Sequence, residues 1–85
     1  EAVVNSAVTR EITQKQYDAL VSFTFNVGTG AFKSSDVLSY TNAGNYQAAA
    51  DELLQYVYAG GRLIDGLRKR REEERAMYLS SLPQG

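Results

Sequence analysis

The chain contains no cysteine, no histidine and no tryptophan, and its one proline is Pro83. Without cysteine there is no disulfide framework. Without cysteine and histidine together there is no ordinary zinc site, no thiol or imidazole nucleophile and no histidine-ligated haem. No charge of one sign dominates: nine basic and ten acidic side chains leave a net charge of −1, so no overall field draws the chain to nucleic acid or to an anionic membrane. Long apolar runs are missing too. The longest stretch free of charged residues, Ala19 to Phe32, is interrupted by Asn26, Gly28 and Gly30 and is too short and polar to span a bilayer. No signal-like apolar run follows Glu1. The lack of cysteine fits a reducing or an oxidising compartment equally.

What remains is an ordinary globular composition, 44% apolar and 22% charged over 85 residues, the length of one domain. A domain of this size buries only about 60% of its unfolded surface, so an uncovered apolar face calls for a partner.

The patterning is helical. Val3, Val4, Ala7 and Val8 repeat at helical spacing in a lead that opens without a cap, which reads as the end of a helix begun upstream. Thr13 with Gln16 fits a capping box. The helix behind it carries a stripe of Tyr17, Leu20, Val21, Thr24 and Val27 and stops at Gly28. Phe23 and Phe25 lie off that stripe, so this helix is expected to be central and enclosed. Thr29 to Lys33 reads as a loop. Ser34 or Ser35 caps a short helix with Asp36 in its first turn, ending near Ala43-Gly44. Asn45 caps an amphipathic helix with apolar positions 46, 49, 50, 53, 54 and 57, expected to run to Gly60-Gly61. Asp65 precedes a last helix, about 66–80. No strand pattern emerges. The expected class is all-α, a compact bundle of about four to five helices.

Carboxylates are the only common acid–base groups present. A glycosidase-type site needs one carboxyl group kept protonated in an apolar pocket and a second acting across the bond. The acids here fall at helix starts, on polar faces or beside arginines, settings that favour ionised, solvated groups, with Glu52 the least clear. The basic run Arg68-Lys69-Arg70-Arg71 is answered by Glu72-Glu73-Glu74, with i,i+4 pairing expected for Arg68–Glu72, Lys69–Glu73 and Arg70–Glu74. That interleaving argues for a solvated, salt-bridged face and against a phosphate-binding stripe. One or two of these arginines pointing into a neighbouring lobe or towards an anionic sugar is a further reading. Phe25-Asn26-Val27-Gly28 is the most distinctive string. An asparagine at the end of an apolar helix is costly to bury unless its amide is paired. Two readings stay open: a helix stop, or one wall of a polar, sugar-binding cleft.

Several separated motifs carry a resemblance. Gln16-Tyr17-Asp18-Ala19-Leu20-Val21-Ser22-Phe23, then Phe25-Asn26-Val27-Gly28, Ala43-Gly44-Asn45-Tyr46, Ala48-Ala49-Ala50-Asp51, Tyr58-Ala59-Gly60-Gly61, and Gly66-Leu67 with Arg70-Arg71-Glu72-x-Glu74-Arg75-Ala76 together resemble the phage-type lysozymes, the endolysins of glycoside hydrolase family 24. The match covers roughly residues 12 to 80. In that family the catalytic acid is a Glu in an E-x8-[DC]-x5-T pattern. Here Glu1 meets Arg10, Glu11 meets Leu20, Glu52 meets Gly61 and Glu72 meets Ser81, so the resemblance implies the helical C-terminal lobe of a lysozyme-like α+β fold, without the first lobe and its Glu.

The organisation that follows is the end of an inter-lobe helix and linker at 1–12, the helical lobe at 13–80 and a tail at 81–85. The resemblance implies hydrolysis of the β-1,4 bond of peptidoglycan during host cell lysis. This chain would supply one cleft wall, would have no catalytic residue of its own and would be inactive alone. Phe25, Asn26, Gly28 and Ser35 are the implied substrate contacts. A family contact near Glu52 is not carried over, because the residue type does not match. No metal and no cofactor is implied. The implied partners are the glycan strand and the missing N-terminal lobe, with no nucleic acid and no membrane in this segment. The implied setting is a phage protein made in the host cytoplasm and acting on the bacterial cell wall. Two rivals accompany this reading: a module that binds peptidoglycan without cutting it, and a lobe reused for protein interaction through the 3, 4, 7, 8 stripe.

Overall fold

The capping box at Thr13 forms as the sequence predicts: the Gln16 amide donates to Thr13 Oγ1 at 3.1 Å, and the Thr13 amide donates to Gln16 Oε1 at 2.8 Å. It starts the longer of the first two helices in a computed structural model that describes residues 2–59 and 61–80. The expected tail 81–85 and Gly60 lie outside the described residues. The elements are α1 (Ala2–Ala7), α2 (Gln14–Val27), α3 (Thr29–Lys33), α4 (Asp36–Ala43), α5 (Tyr46–Leu53), β1 (Tyr58–Ala59), β2 (Arg62–Leu63) and α6 (Asp65–Ser80). The helical class holds, with six helices among the described residues.

Helix α2 is the organising element and packs most extensively on α6, with α3 and α1 against it as well. Its buried face is Gln16, Ala19, Leu20, Phe23 and Thr24, rotated one position from the expected stripe. Tyr17, Val21 and Val27 border the core instead. The expectation of all-round enclosure fails at one point: Phe25 is 88% exposed. Phe23, on the opposite side, is fully buried and meets Phe32 and Tyr56 edge-on, with ring centroids 6.4 and 4.9 Å apart. Burying a phenylalanine of this kind contributes about 1.5–3 kcal/mol.

Three expected boundaries are corrected. Residues 29–33 form the short helix α3 rather than a loop. Gly28, at φ 98°, breaks the chain direction after α2, and fully buried Phe32, whose amide donates to the Gly28 carbonyl, pins the new turn. Helix α5 stops at Leu53, short of the expected end. The amides of Leu54, Gln55 and Tyr56 donate three residues back, tightening the last turn as helix ends do. Val57, the expected last apolar position of α5, is still buried, but from an irregular segment. Third, an antiparallel pair of two-residue strands follows, Tyr58 opposite Leu63 and Ala59 opposite Arg62, where no strand is expected. Gly61 at φ 77° supplies the left-handed turn residue.

The remaining joints follow the sequence more closely. Ser35 caps α4, and Gly44 closes it in the left-handed conformation. Asn45 precedes α5 but makes no side-chain cap bond. The lead does not stand open as a docking stripe: Val4 is fully buried, and Val3, Ala7 and Val8 pack against the core. Asn42 holds it from both sides, accepting from the Thr9 amide at 2.8 Å and donating to the Ala7 carbonyl at 3.1 Å.

Candidate functional site

The charged run of α6 divides by helical period. Arg68, Lys69, Arg70, Glu72 and Glu73 are exposed, as expected, and Arg68 lies 3.7 Å from Glu72. Arg71, Glu74 and Tyr78 form the buried stripe. Arg71 has no exposed surface and Glu74 only 2%. The expectation of solvated acids therefore fails at Glu74, and its partner is Arg71 rather than Arg70. Arg71 Nη2 donates to Glu74 Oε2 at 2.8 Å, a charge-assisted hydrogen bond, and Nε lies 2.6 Å from Oε1 as an ion-pair contact. Ser22 Oγ donates to Glu74 Oε2 at 2.6 Å. The guanidinium carbon sits 5.3 Å from the centroid of the Phe23 ring.

One guanidinium nitrogen remains for the surface. Arg71 Nη1 donates to Asn26 Oδ1 at 2.9 Å. The Oδ1 of Asn26 is thereby paired, although the residue itself is exposed at the end of α2. Neither sequence reading of the arginines anticipates this: Arg71 points neither to solvent nor away from its own domain, but to Asn26. The signal that locates it is the spacing Leu67, Arg71, Glu74, Tyr78, which is i, i+4, i+7, i+11 and so runs an apolar-type stripe straight through the charged block.

Asn26 opens onto a groove of about 330 Å³ that Val27, Tyr56, Tyr58 and Leu67 complete, near the lower end of ligand-pocket size. Tyr58 is 62% exposed and comes from the unexpected β1. Partial burial, followed by the Glu52 and Asp36 carboxylates, pushes the Tyr56 hydroxyl above its ordinary range, so it stays a neutral donor. Of the expected contacts Asn26 alone lines this groove; Phe25 and Gly28 are exposed neighbours of it at the end of α2 and are not among the lining residues. Ser35 does not join them. It is 3% exposed, and its hydroxyl donates to the Phe32 carbonyl at 2.7 Å while accepting from the Leu38 amide at 3.2 Å. Ser35 is spent on the cap of α4.

Among the described residues no carboxylate lines the groove. A second cavity, about 410 Å³, lies between the lead and the start of α2, lined in part by Val4, Arg10 and Tyr17. None of the expected site residues borders it. Among the described residues no three His, Cys, Asp or Glu side chains gather as metal ligands, and no helix is long and apolar enough to cross a membrane.

Residues 1–74 match the family model described as Phage lysozyme. Over 70 residues the chain is 56% identical to an endolysin of Bacillus phage B103, an alignment covering 82% of this chain and 27% of that protein. Among solved structures, the muramidase domain of SpmX from Asticaccaulis excentricus superposes with a TM-score of 0.86 at 38% identity, covering 92% of this chain and 56% of that one. A crystal structure of a P22 lysozyme mutant superposes with a TM-score of 0.84 at 45% identity, covering 92% and 53%. The chain spans between about a quarter and just over half the length of these relatives.

Proposed function

The chain belongs to the phage lysozyme family, and from that premise we propose that it forms the helical wall of a cleft that grips the glycan of peptidoglycan, while the proton donor for cleavage of the β-1,4 bond comes from sequence outside these residues. The observation that carries this reading is the groove beside Asn26. It offers a paired amide, two tyrosines and two aliphatic side chains, the mix of flat amphipathic surface and fixed polar group that suits a sugar ring. It offers no acid. General acid catalysis needs a proton-bearing group within hydrogen-bond reach of the leaving oxygen. Glu74, the buried carboxylate, is occupied by Arg71 and Ser22. The setting that goes with this role is phage-induced lysis of the host cell, with the bacterial wall as substrate.

The test is direct. The chain alone should be retained on insoluble peptidoglycan, should lose that retention on Asn26→Ala, and should leave the turbidity of a cell-wall suspension unchanged. Adding the N-terminal portion of a phage lysozyme in trans should restore clearing. Clearing by the isolated chain would overturn the assignment of the acid to another segment. The acid-free groove also favours a second reading, binding without cutting. Retention that no added lobe converts into cleavage would select it.

A further inference from the structure

Arginine has five N–H donors and no acceptor. A buried Arg71 therefore dictates which end of the Asn26 amide it meets: Oδ1 must face the guanidinium, as it does at 2.9 Å, and Nδ2 must face away. Arg71 cannot turn to release it. Nη2 donates to Glu74 at 2.8 Å, Nε lies 2.6 Å from the other oxygen of that carboxylate, Ser22 donates to Glu74, and the Phe23 ring centroid lies 5.3 Å from the guanidinium carbon. The exposed asparagine thus presents a fixed pair of N–H donors at the edge of a groove lined by Val27 and Leu67.

We propose that Arg71 is a positioning residue that sets the polarity of Asn26, so that Asn26 Nδ2 donates to the carbonyl oxygen of an acetamido group seated in the groove. This rests on the cleft reading above and specifies what the cleft recognises. An acetamido group offers a carbonyl acceptor beside a methyl. The donor of Asn26 meets the first, and the aliphatic surface of Val27 and Leu67 meets the second. A free amine at the same carbon, protonated at neutral pH, has only donors to offer Asn26 and is rejected, since a site built around one hydrogen bond discriminates strongly against a ligand that leaves it unmade.

The experiment is a titration of the ¹⁵N-labelled 85-residue chain with tri-N-acetylchitotriose, and with its de-N-acetylated counterpart, followed through the Asn26 side-chain NH₂ signals. The expected result is a shift of those signals with the acetylated sugar and none with the free-amine sugar. Asn26→Asp keeps an oxygen for Arg71 but replaces the outward donor with an acceptor, so it should fold and bind at least tenfold more weakly. Arg71→Met should uncouple the Asn26 signals from the sugar, and Arg71→Lys, another pure donor, should restore the coupling in part. Should Arg71→Met not fold, the double change Arg71→Met, Glu74→Leu takes its place, and Asn26 signals that respond to the sugar there as in the wild-type chain overturn the role of Arg71. Unweakened binding by Asn26→Asp, or equal binding of the free-amine sugar, overturns the donor assignment and leaves the cleft reading standing. No shift at any groove residue of the wild-type chain overturns both.

Discussion

Arg71 of α6 and Asn26 of α2 lie 45 positions apart in sequence and meet at 2.9 Å, Nη1 to Oδ1, at the rim where the core reaches the surface. The bond joins the ion pair inside to the amide outside. Breaking a buried pair by deleting one partner leaves an uncompensated charge and costs about 3–5 kcal/mol. Glu74→Ala should therefore lower the urea unfolding free energy of the chain by about that much, because Arg71, with no exposed surface, has no route to water. The double change Arg71→Met, Glu74→Leu should recover most of the loss, since packed apolar side chains often replace such pairs at little cost. A loss below about 1 kcal/mol for Glu74→Ala would show that the pair is not shut away from solvent as the structure has it.

High pH supplies a second test. Burial, ahead of every other cause, raises the Tyr78 hydroxyl above its usual 10.0, against smaller lowering by its bonds to Thr41 and Gln16. Its 2.7 Å contact with Thr41 Oγ1 is wholly internal. In the unfolded chain Tyr78 loses its proton near pH 10, while in the folded chain it keeps it. The unfolded state then binds fewer protons, so stability is complete below about pH 10 and falls as pH rises beyond it. Urea midpoints between about pH 9 and 11.5 should show that decline. Tyr78→Phe should make it shallower without abolishing it, because Tyr56 is raised in the same direction. The same change should cost about 1–3 kcal/mol at neutral pH by leaving the Thr41 hydroxyl unpaired. An unchanged slope in Tyr78→Phe would sink the assignment.

The sequence makes the helices legible where local chemistry decides them. Thr13 with Gln16, Ser35 before Asp36, and Gly44 after Ala43 act within a few residues, and each takes the expected role. The lead is legible for the same reason, as a short helical stripe. Legibility fails where a distant residue decides. Phe32 turns an apparent loop into α3 because a core waits for it. The end of α5 is set by where Val57 and the hairpin must go, and Tyr58-Ala59-Gly60-Gly61-Arg62-Leu63 carries a hairpin signature that its neighbouring helical pattern conceals. At the site, Phe25, Asn26 and Gly28 cluster because they are adjacent. Tyr56, Tyr58 and Leu67 join Asn26 and Val27 at the groove only through tertiary packing. Arg71 and Glu74 are hidden in a block whose composition says surface and whose period says core.

Phe25 separates stability from recognition. At 88% exposure it covers almost nothing of its own domain, and surface substitutions of that kind stay within about 0.5 kcal/mol. Phe25→Ser should leave the unfolding midpoint in place. If Phe25 belongs to the sugar-gripping wall, peptidoglycan retention should drop, because the exposed aromatic ring offers amphipathic surface to a sugar ring. Retention equal to wild type, with the fold intact, would remove Phe25 from the wall and leave Asn26 as its defining polar group.

Gly44 tests how the lead is fastened to the domain. Its φ of 80° is left-handed, and a Cβ there would stand 2.7 Å from Arg10 Nη1. Arg10 in turn donates from Nε to the Tyr46 hydroxyl at 3.1 Å and sits 5.7 Å from the centre of that ring. Gly44→Ala should therefore cost twice: about 1–2 kcal/mol for placing an L side chain in the left-handed region, and about 0.5–1 kcal/mol for displacing an exposed cation from an aromatic face. The two costs share a residue, so they should not add. In Arg10→Ala the second cost is already incurred, and introducing Gly44→Ala there should cost only the backbone share. A double-mutant cycle read by urea unfolding measures that coupling. Simple additivity would mean that the guanidinium gives way without loss, and that Asn42 alone, not Arg10, holds the lead in place.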